Sequence, residues 1–289
     1  MEENSNQLLI NWYPGHMTKT RRYIEKNISM VDLVIEVADA RVVKSSQNPD
    51  FNNLLANKKR LMVLTKKDLA DEGVSSRWMQ HFKAEGRDVL LIDSAKGQGT
   101  AEILPKVREM LKEQIDRAAA KGMKKTIRIM ICGVPNSGKS TLINTLCRRR
   151  AAEAQDRPGV TRGGQWVTLS SDVELLDTPG ILWNKFEDMQ QGIHLALTGA
   201  VKDDVVDKEE LAFELIKILQ VKYPGSLQER YKIQIDDWDE PLDIYEKICR
   251  ARGFIMRGNE FDYTRCAAVL LDEFRGGKLG RISLEAPDA

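Results

Sequence analysis

The chain is poor in cysteine, and none of its cysteines is paired in sequence. Cys132, Cys147, Cys249 and Cys266 are the full set, and no C-x-x-C occurs. This argues against a disulfide framework or a zinc site and fits a reducing compartment. Long apolar runs are also missing: nothing approaches the roughly 18–20 residues of a membrane span. Met1 to Ile10 is polar and acidic before the short Leu8-Leu9-Ile10 run, unlike a signal or Arg-rich transit peptide. No internal repeat or low-complexity segment appears. A cytoplasmic chain with no membrane partner is the expectation. Excess charge of one sign is absent too, the net being +1 over 289 residues, so bulk charge argues for no nucleic-acid partner.

What is present is enough for a sizeable core, since 42% of residues are hydrophobic. At this length the chain fits one large or two ordinary domains. The charge is unevenly spread. Residues 205–289 hold 13 Lys/Arg and 17 Asp/Glu, whereas residues 1–204 hold 31 and 26. The basic excess therefore lies with the first part of the chain. That part also contains Gly133-Val134-Pro135-Asn136-Ser137-Gly138-Lys139-Ser140-Thr141, which fits the phosphate-loop pattern G-x-x-x-x-G-K-[ST]. Apolar Ile127, Ile129, Met130, Ile131 and Cys132 precede it as a buried strand, and Leu142, Ile143 and Leu146 follow at helical spacing. Backbone N–H groups of such a loop and of the helix start cradle phosphate oxygens. Lys139 is positioned to reach β/γ-phosphates and Ser140 to hold Mg²⁺.

Other strands end in further signals. Val31–Ala38, Arg60–Thr65 and Val89–Ile92 read as strands, with a helix over Ser76–Ala84 between the last two. Such alternation predicts a mostly parallel α/β sheet with helices on both faces. Thr65-Lys66-Lys67-Asp68, at the end of the second strand, resembles the guanine-reading [NT]-K-x-D motif. A carboxylate there accepts from guanine N1–H and N2–H₂, and adenine offers neither donor. Thr65 replaces the usual Asn, keeping a hydroxyl and losing the amide. Ser94-Ala95-Lys96 resembles the S-A-K motif, whose backbone N–H groups meet guanine O6, and precedes a helix from about Ala101 to Ala120. Thr161 occupies the position of a switch threonine. Asp177-Thr178-Pro179-Gly180 follows the strand pair Gln165–Leu169 and Val173–Leu176 and resembles D-x-x-G, with Asp177 reaching Mg²⁺ through water and the Gly180 N–H reaching the γ-phosphate. Each motif alone also has a plain structural reading as a strand end or turn.

From Asp207 onward the pattern turns helical. Asp207 and Glu210 resemble a capping box, Pro224-Gly225 reads as a stop, and two helices follow near Leu242–Arg252 and Asp262–Arg275. The expected division is residues 1–204 and an all-helical domain at 205–289. Two cationic features invite RNA: Lys19, Arg21, Arg22 and Lys26 beside Trp12-Tyr13, and Arg250, Arg252, Arg257, Arg275, Lys278 and Arg281. In the first, aromatics packed on the core with solvated cations compete evenly with RNA contact; in the second, the acidic balance of the helical part favours a packing or docking module equally.

The order of the motifs is the decisive signal. Ordinary GTPases run phosphate loop, switch Thr, D-x-x-G, [NT]-K-x-D, S-A-K. Here Thr65–Asp68 and Ser94–Lys96 come first, and the cyclic order is unchanged. With Trp12-Tyr13-Pro14-Gly15-His16-Met17, Asp39-Ala40-Arg41 and Asp177 through Ile181-Leu182-Trp183 added, the chain resembles the circularly permuted GTPases of the YlqF/RbgA family over essentially its whole length. The resemblance implies a circularly permuted P-loop GTPase domain with a helical C-terminal domain. It implies GTP and GDP binding and a role in late assembly of the large ribosomal subunit, with rRNA contact, from a monomer. Position 181, where many GTPases keep a water-orienting Gln, is Ile. His16 by the family motif, with Lys139 and Thr161, then forms the catalytic expectation, and Asn136 is the candidate ligand for K⁺. Three other readings stay open: a P-loop kinase or ATPase, an RNA-binding scaffold with structural nucleotide, and a translation GTPase, which the permuted order disfavours.

Overall fold

The computed structural model describes residues 15–154, 166–183 and 188–287. Its chain divides into two compact units at residue 184/185, with Glu285 onward belonging to the first.

The first unit is built on six strands: β1 (Leu33–Asp39), β2 (Lys59–Thr65), β3 (Asp88–Leu91), β4 (Ile127–Gly133), β5 (Trp166–Ser170) and β6 (Val173–Asp177). Their spatial order is β3-β2-β1-β4-β6-β5. All neighbours are parallel except the β5–β6 hairpin. The mostly parallel sheet expected from the alternating pattern is therefore present, and all six strands begin and end within two residues of the sequence reading. β1 is buried along its whole length, as a central parallel strand must be. Helices α1 (Gly15–Asn27), α2 (Val43–Ser46), α3 (Asp50–Leu54), α4 (Glu72–Ala84), α5 (Ile103–Met110), α6 (Lys112–Ala119) and α7 (Lys139–Ala154) complete the unit.

Period-2 alternation splits the strand residues between two layers. Leu33, Ile35, Val37, Leu61 and Val63 join Ile103 and Val107 of α5 and Leu142 and Leu146 of α7. Ala38, Met62 and Leu64 join Val74, Trp78 and Phe82 of α4. Helices thus cover both faces, each sealing one set of side chains. The expected helix over Ala101–Ala120 is interrupted at Leu111, between α5 and α6. Helix α4 starts earlier than its periodicity suggests because Asp71 caps it, its carboxylate accepting from Val74 N–H at 2.8 Å.

Chain order reverses direction between β1 and its neighbour β4. In open parallel sheets a ligand crevice forms at such a switch point, beyond the carboxyl ends of the strands. Register places those ends together: Asp39 lies beside Thr65, and Val37 beside Gly133. Every strand-end motif of the sequence therefore gathers at one edge.

The second unit holds α8 (Met189–Leu197), α9 (Lys208–Lys222), α10 (Pro224–Tyr231), α11 (Pro241–Arg252) and α12 (Tyr263–Arg275). α9 packs on α11 and α12, burying Leu211, Leu215, Leu219, Ile244, Ile248, Leu270 and Phe274. Asp207 caps α9 as expected, accepting from Glu209 and Glu210 N–H groups. Two expectations need correction. The division falls at 184/185 and not 204/205, because α8 belongs with the helices: the Arg275 guanidinium donates to Ala196 O and Leu197 O at its end and pairs with Asp203. Pro224 does stop α9, but it also opens α10 at its first position, where a missing N–H costs nothing.

Candidate nucleotide-binding site

The phosphate loop rises from the end of β4 and turns into α7. Gly133 must be glycine: a Cβ there would stand 2.3 Å from Val37 O on the neighbouring strand, and its φ is +154°. Asn136 takes φ 55° at the exposed crest of the loop, a left-handed conformation that Asn tolerates. The Ser137 hydroxyl is turned inward and donates to Val134 O at 2.9 Å, so this side chain shapes the loop. Ser140 and Thr141 are exposed on the first turn of α7.

Lys139 is only 7% exposed, and its ammonium donates to Gly133 O at 3.1 Å and Val134 O at 2.8 Å. It has no carboxylate ion pair among the described residues. Burial pushes its pKa down to about 8, against the upward pull of Cys132 and Asp177. A buried cation coordinated only by carbonyl oxygens is a group prepared for an anion.

The strand β2 end meets this loop directly. Thr65 is fully buried, and its Oγ1 lies 2.5 Å from Ser137 O and 3.1 Å from Ala38 O. Thr65 thus braces the phosphate loop from the end of β2. Lys66 sits at φ 56° and places its ammonium 3.0 Å from Asp39 Oδ2. Lys67 is half-buried, and Asp68 is exposed at the rim, open to a ligand.

Asp39 and Arg41, whose motif carries no assigned role in the sequence, form a buried ion pair that also engages Lys66. Arg41 is 1% exposed and donates to Asp39 through Nε at 3.1 Å, Nη2 at 2.9 Å and its backbone N–H at 3.0 Å. Burial alone would raise the Asp39 carboxyl; Arg41 and Lys66 overcome it and hold the acid well below the ordinary carboxylate range. A buried Asp at a strand end two residues before an Arg was the available signal.

The Ser94-Ala95-Lys96 loop is held from two sides. Asp93 Oδ1 accepts from Ala95 N–H and Lys96 N–H, both at 3.0 Å. Thr145 on α7 donates to Ser94 O at 2.8 Å. The amides expected to meet guanine O6 are thus engaged by Asp93, a residue the motif does not include. On the other flank, Asp177 ends β6 in solvent, and the Thr178 hydroxyl donates to Ile131 O at 2.6 Å. Gly180 touches the loop: a Cβ on it would lie 2.8 Å from Pro135 Cα. The Ile181 N–H donates to Gly133 O at 3.2 Å, and Ile181, Leu182 and Trp183 are all buried. Ile181 is therefore core, consistent with its unsuitability for aligning water.

Several expected residues lie elsewhere. Thr161 and the Trp12–Pro14 segment are outside the described residues, as is the His16 side chain. Arg21 is paired with Glu25 and Asp50, while Lys19, Arg22 and Lys26 are exposed on α1 opposite buried Met17, Thr20 and Ile24. Arg252 and Arg275 are committed internally, to Glu273 and Asp203, which removes them from the basic face expected of the helical region.

A phosphate loop at the switch point, a guanine-type strand end braced against it, and a D-x-x-G turn touching its crest define a P-loop GTPase, with the strands in permuted chain order. The family model described as 50S ribosome-binding GTPase matches residues 128–231, which include the loop and Asp177–Gly180. Proteins named ribosome biogenesis GTPase A are similar over almost the full length. That of Bacillus licheniformis is 43% identical, covering 97% of this chain and 99% of its own. That of Thermotoga maritima is 32% identical, covering 96% and 95%. The solved structure of GNP-bound YlqF from T. maritima superposes with a TM-score of 0.65 at 27% identity, covering 93% of this chain and 99% of its own. The chain belongs to the ribosome biogenesis GTPase A family.

Proposed function

We propose that this protein binds GTP at the Gly133–Thr141 loop, hydrolyses it to GDP and phosphate, and uses the cycle to promote late assembly of the large ribosomal subunit. The observation that carries the reading is the Thr65–Ser137 brace: it joins a base-reading strand end to a phosphate loop across 72 positions of sequence. Asp68 reads the guanine edge, Lys66 lays its stem along the base while Asp39 fixes its head, and Ser94 and Ala95 close the base pocket. Lys139 and the backbone amides of Asn136, Ser137, Gly138, Ser140 and Thr141 receive the phosphates. Lys139 leaves its two carbonyl partners for the β/γ oxygens, and the Gly180 N–H senses the γ-phosphate.

The residues suit Mg²⁺: Ser140 and Asp177 offer exposed oxygen donors flanking a buried cation, with Thr161 as a third ligand. The metal would neutralise charge on the β- and γ-phosphates. Asn136 is the K⁺ ligand in this reading, and His16 orients the water that attacks the γ-phosphorus. Exposed Lys19, Arg22 and Lys26 supply a phosphate-facing patch for rRNA.

Sucrose-gradient co-sedimentation with large subunits tests the function. Binding is expected to differ between GDP and a non-hydrolysable GTP analogue; equal binding in both states counts against a nucleotide-gated role. Competition of labelled GTP with ATP tests the base assignment, and effective displacement by ATP would refute it. A Lys139→Ala protein that still supports assembly would move the nucleotide to a structural role.

A further inference from the structure

The helical unit carries a surface feature that the nucleotide site does not explain. Between the end of α9 and the start of α11 lies an open groove of about 450 Å³. Its apolar wall is Trp238, Val221 and Pro241, with Trp238 80% and Val221 82% exposed. Exposing an indole and an isopropyl group side by side is unfavourable in water, and such a patch marks an interaction surface. The Trp238 segment is also well fixed. Gln220 donates to Asp239 O at 2.7 Å, and the Asp239 carboxylate accepts from Asp236 N–H at 2.7 Å and from Lys247 at 2.5 Å. Just beyond it, Glu240 N–H donates to Asp243 at 2.9 Å. The turn holds Trp238 outward on a pre-formed platform, so little ordering accompanies binding.

Charge decides the occupant. Asp236, Asp237, Asp239, Glu240 and Asp243 flank Trp238 in an eight-residue stretch, and Asp237, Asp239 and Glu240 line the groove with it. Lys247 is committed to Asp239, and Lys217, at the other wall, pairs with Glu214 at 2.8 Å. Asp237 and Glu240 line the groove with no lysine or arginine ion pair among the described residues. An indole face attracts a cation, and the flanking carboxylates reinforce it. The same carboxylates repel a phosphate backbone, so base stacking on Trp238 would be opposed electrostatically.

We propose that this groove docks a lysine- or arginine-bearing extended protein segment. A cationic head stacks on Trp238 and pairs with Asp237 and Glu240, while aliphatic or prolyl carbons cover Val221 and Pro241. The inference is independent of the nucleotide site, and it assigns this face of the helical unit to protein and not to RNA.

The test uses the full-length protein, a fluorescein-labelled Lys-Pro-Arg repeat peptide and a labelled single-stranded RNA in anisotropy titrations. Trp238→Ala is the main variant, since an exposed side chain leaves the core intact; Asp237→Asn with Glu240→Gln is the second, and a Trp238→Phe protein is the rescue. Peptide affinity is expected to fall about tenfold in Trp238→Ala, to fall likewise in the carboxylate variant, and to recover in part in Trp238→Phe. RNA binding should be the same in all four proteins. Peptide binding that is absent, or unchanged by Trp238→Ala, overturns the proposal. So does RNA binding that weakens in Trp238→Ala and strengthens when the carboxylates are neutralised. Sedimentation showing a dimer that Trp238→Ala dissolves would assign the groove to a second copy and overturn it equally.

Discussion

Lys139 makes the phosphate loop a source of pH-dependent instability in the absence of nucleotide. Its ammonium is buried against two carbonyl oxygens, and its pKa is pushed down to about 8. In the unfolded chain the value is about 10.4. Keeping this lysine charged at neutral pH therefore costs the folded state on the order of 3 kcal/mol. The sign follows from proton counting. Between about pH 8 and pH 10.4 the unfolded chain still holds the proton that the folded chain has released, so stability rises with pH across that window and is flat below it. Lys139→Met removes the titration. Urea unfolding of both proteins without nucleotide, at neutral pH and at about pH 10, isolates the Lys139 contribution because Lys66 and the surface groups cancel in the difference. Relative to the variant, the native protein should gain about 2–3 kcal/mol on going to the higher pH. A difference that stays constant with pH refutes the argument. The same charge should reappear on ligand binding: phosphate oxygens return Lys139 to its protonated form, so GTP binding takes up a proton above about pH 8. Calorimetry in buffers of different ionisation enthalpy reads that uptake directly, and none should remain in Lys139→Met.

Three further outcomes follow from the same geometry. Asp39→Asn leaves Arg41 buried without an anion and frees the Lys66 head, so it should cost about 3–5 kcal/mol in chemical denaturation, with the native protein losing that advantage only as pH falls below the ordinary carboxylate range. Thr65→Val removes the hydroxyl held between Ser137 O and Ala38 O at nearly constant volume and should cost about 1–3 kcal/mol, with weakened binding of GTP and GDP alike in equilibrium titrations. Gly180→Ala would push a methyl into Pro135, and should weaken a GTP analogue relative to GDP, measured by nucleotide competition; equal loss for both would detach Gly180 from γ-phosphate sensing.

Much of this protein is determined by short-range information in the chain. Apolar runs and their periods specify the strands and the main helices, because burial of one face is a local pattern. The phosphate loop needs only its own glycines, its lysine and the strand and helix on either side. The permuted arrangement is legible because motif order is a property of the sequence alone. Local signals fail where one residue type serves two geometries. Pro224-Gly225 reads as a helix stop and is also a helix start. Arg252 and Arg275 read as free cations until the fold brings Glu273 and Asp203 to them.

How the motifs support one another is set by long-range packing. The Thr65–Ser137 and Thr145–Ser94 hydrogen bonds join residues 72 and 51 positions apart. The buried Asp39–Arg41–Lys66 cluster exists because parallel pairing of β1 with β2 sets Asp39 beside Thr65. Asp93 takes the amides of its own loop, and Trp238 is outward because the turn around it is tied to α9 and α11. Sequence specifies which groups can bind a phosphate or read a base. The distance between those groups, and hence whether they act as one site, is set by sheet register and packing.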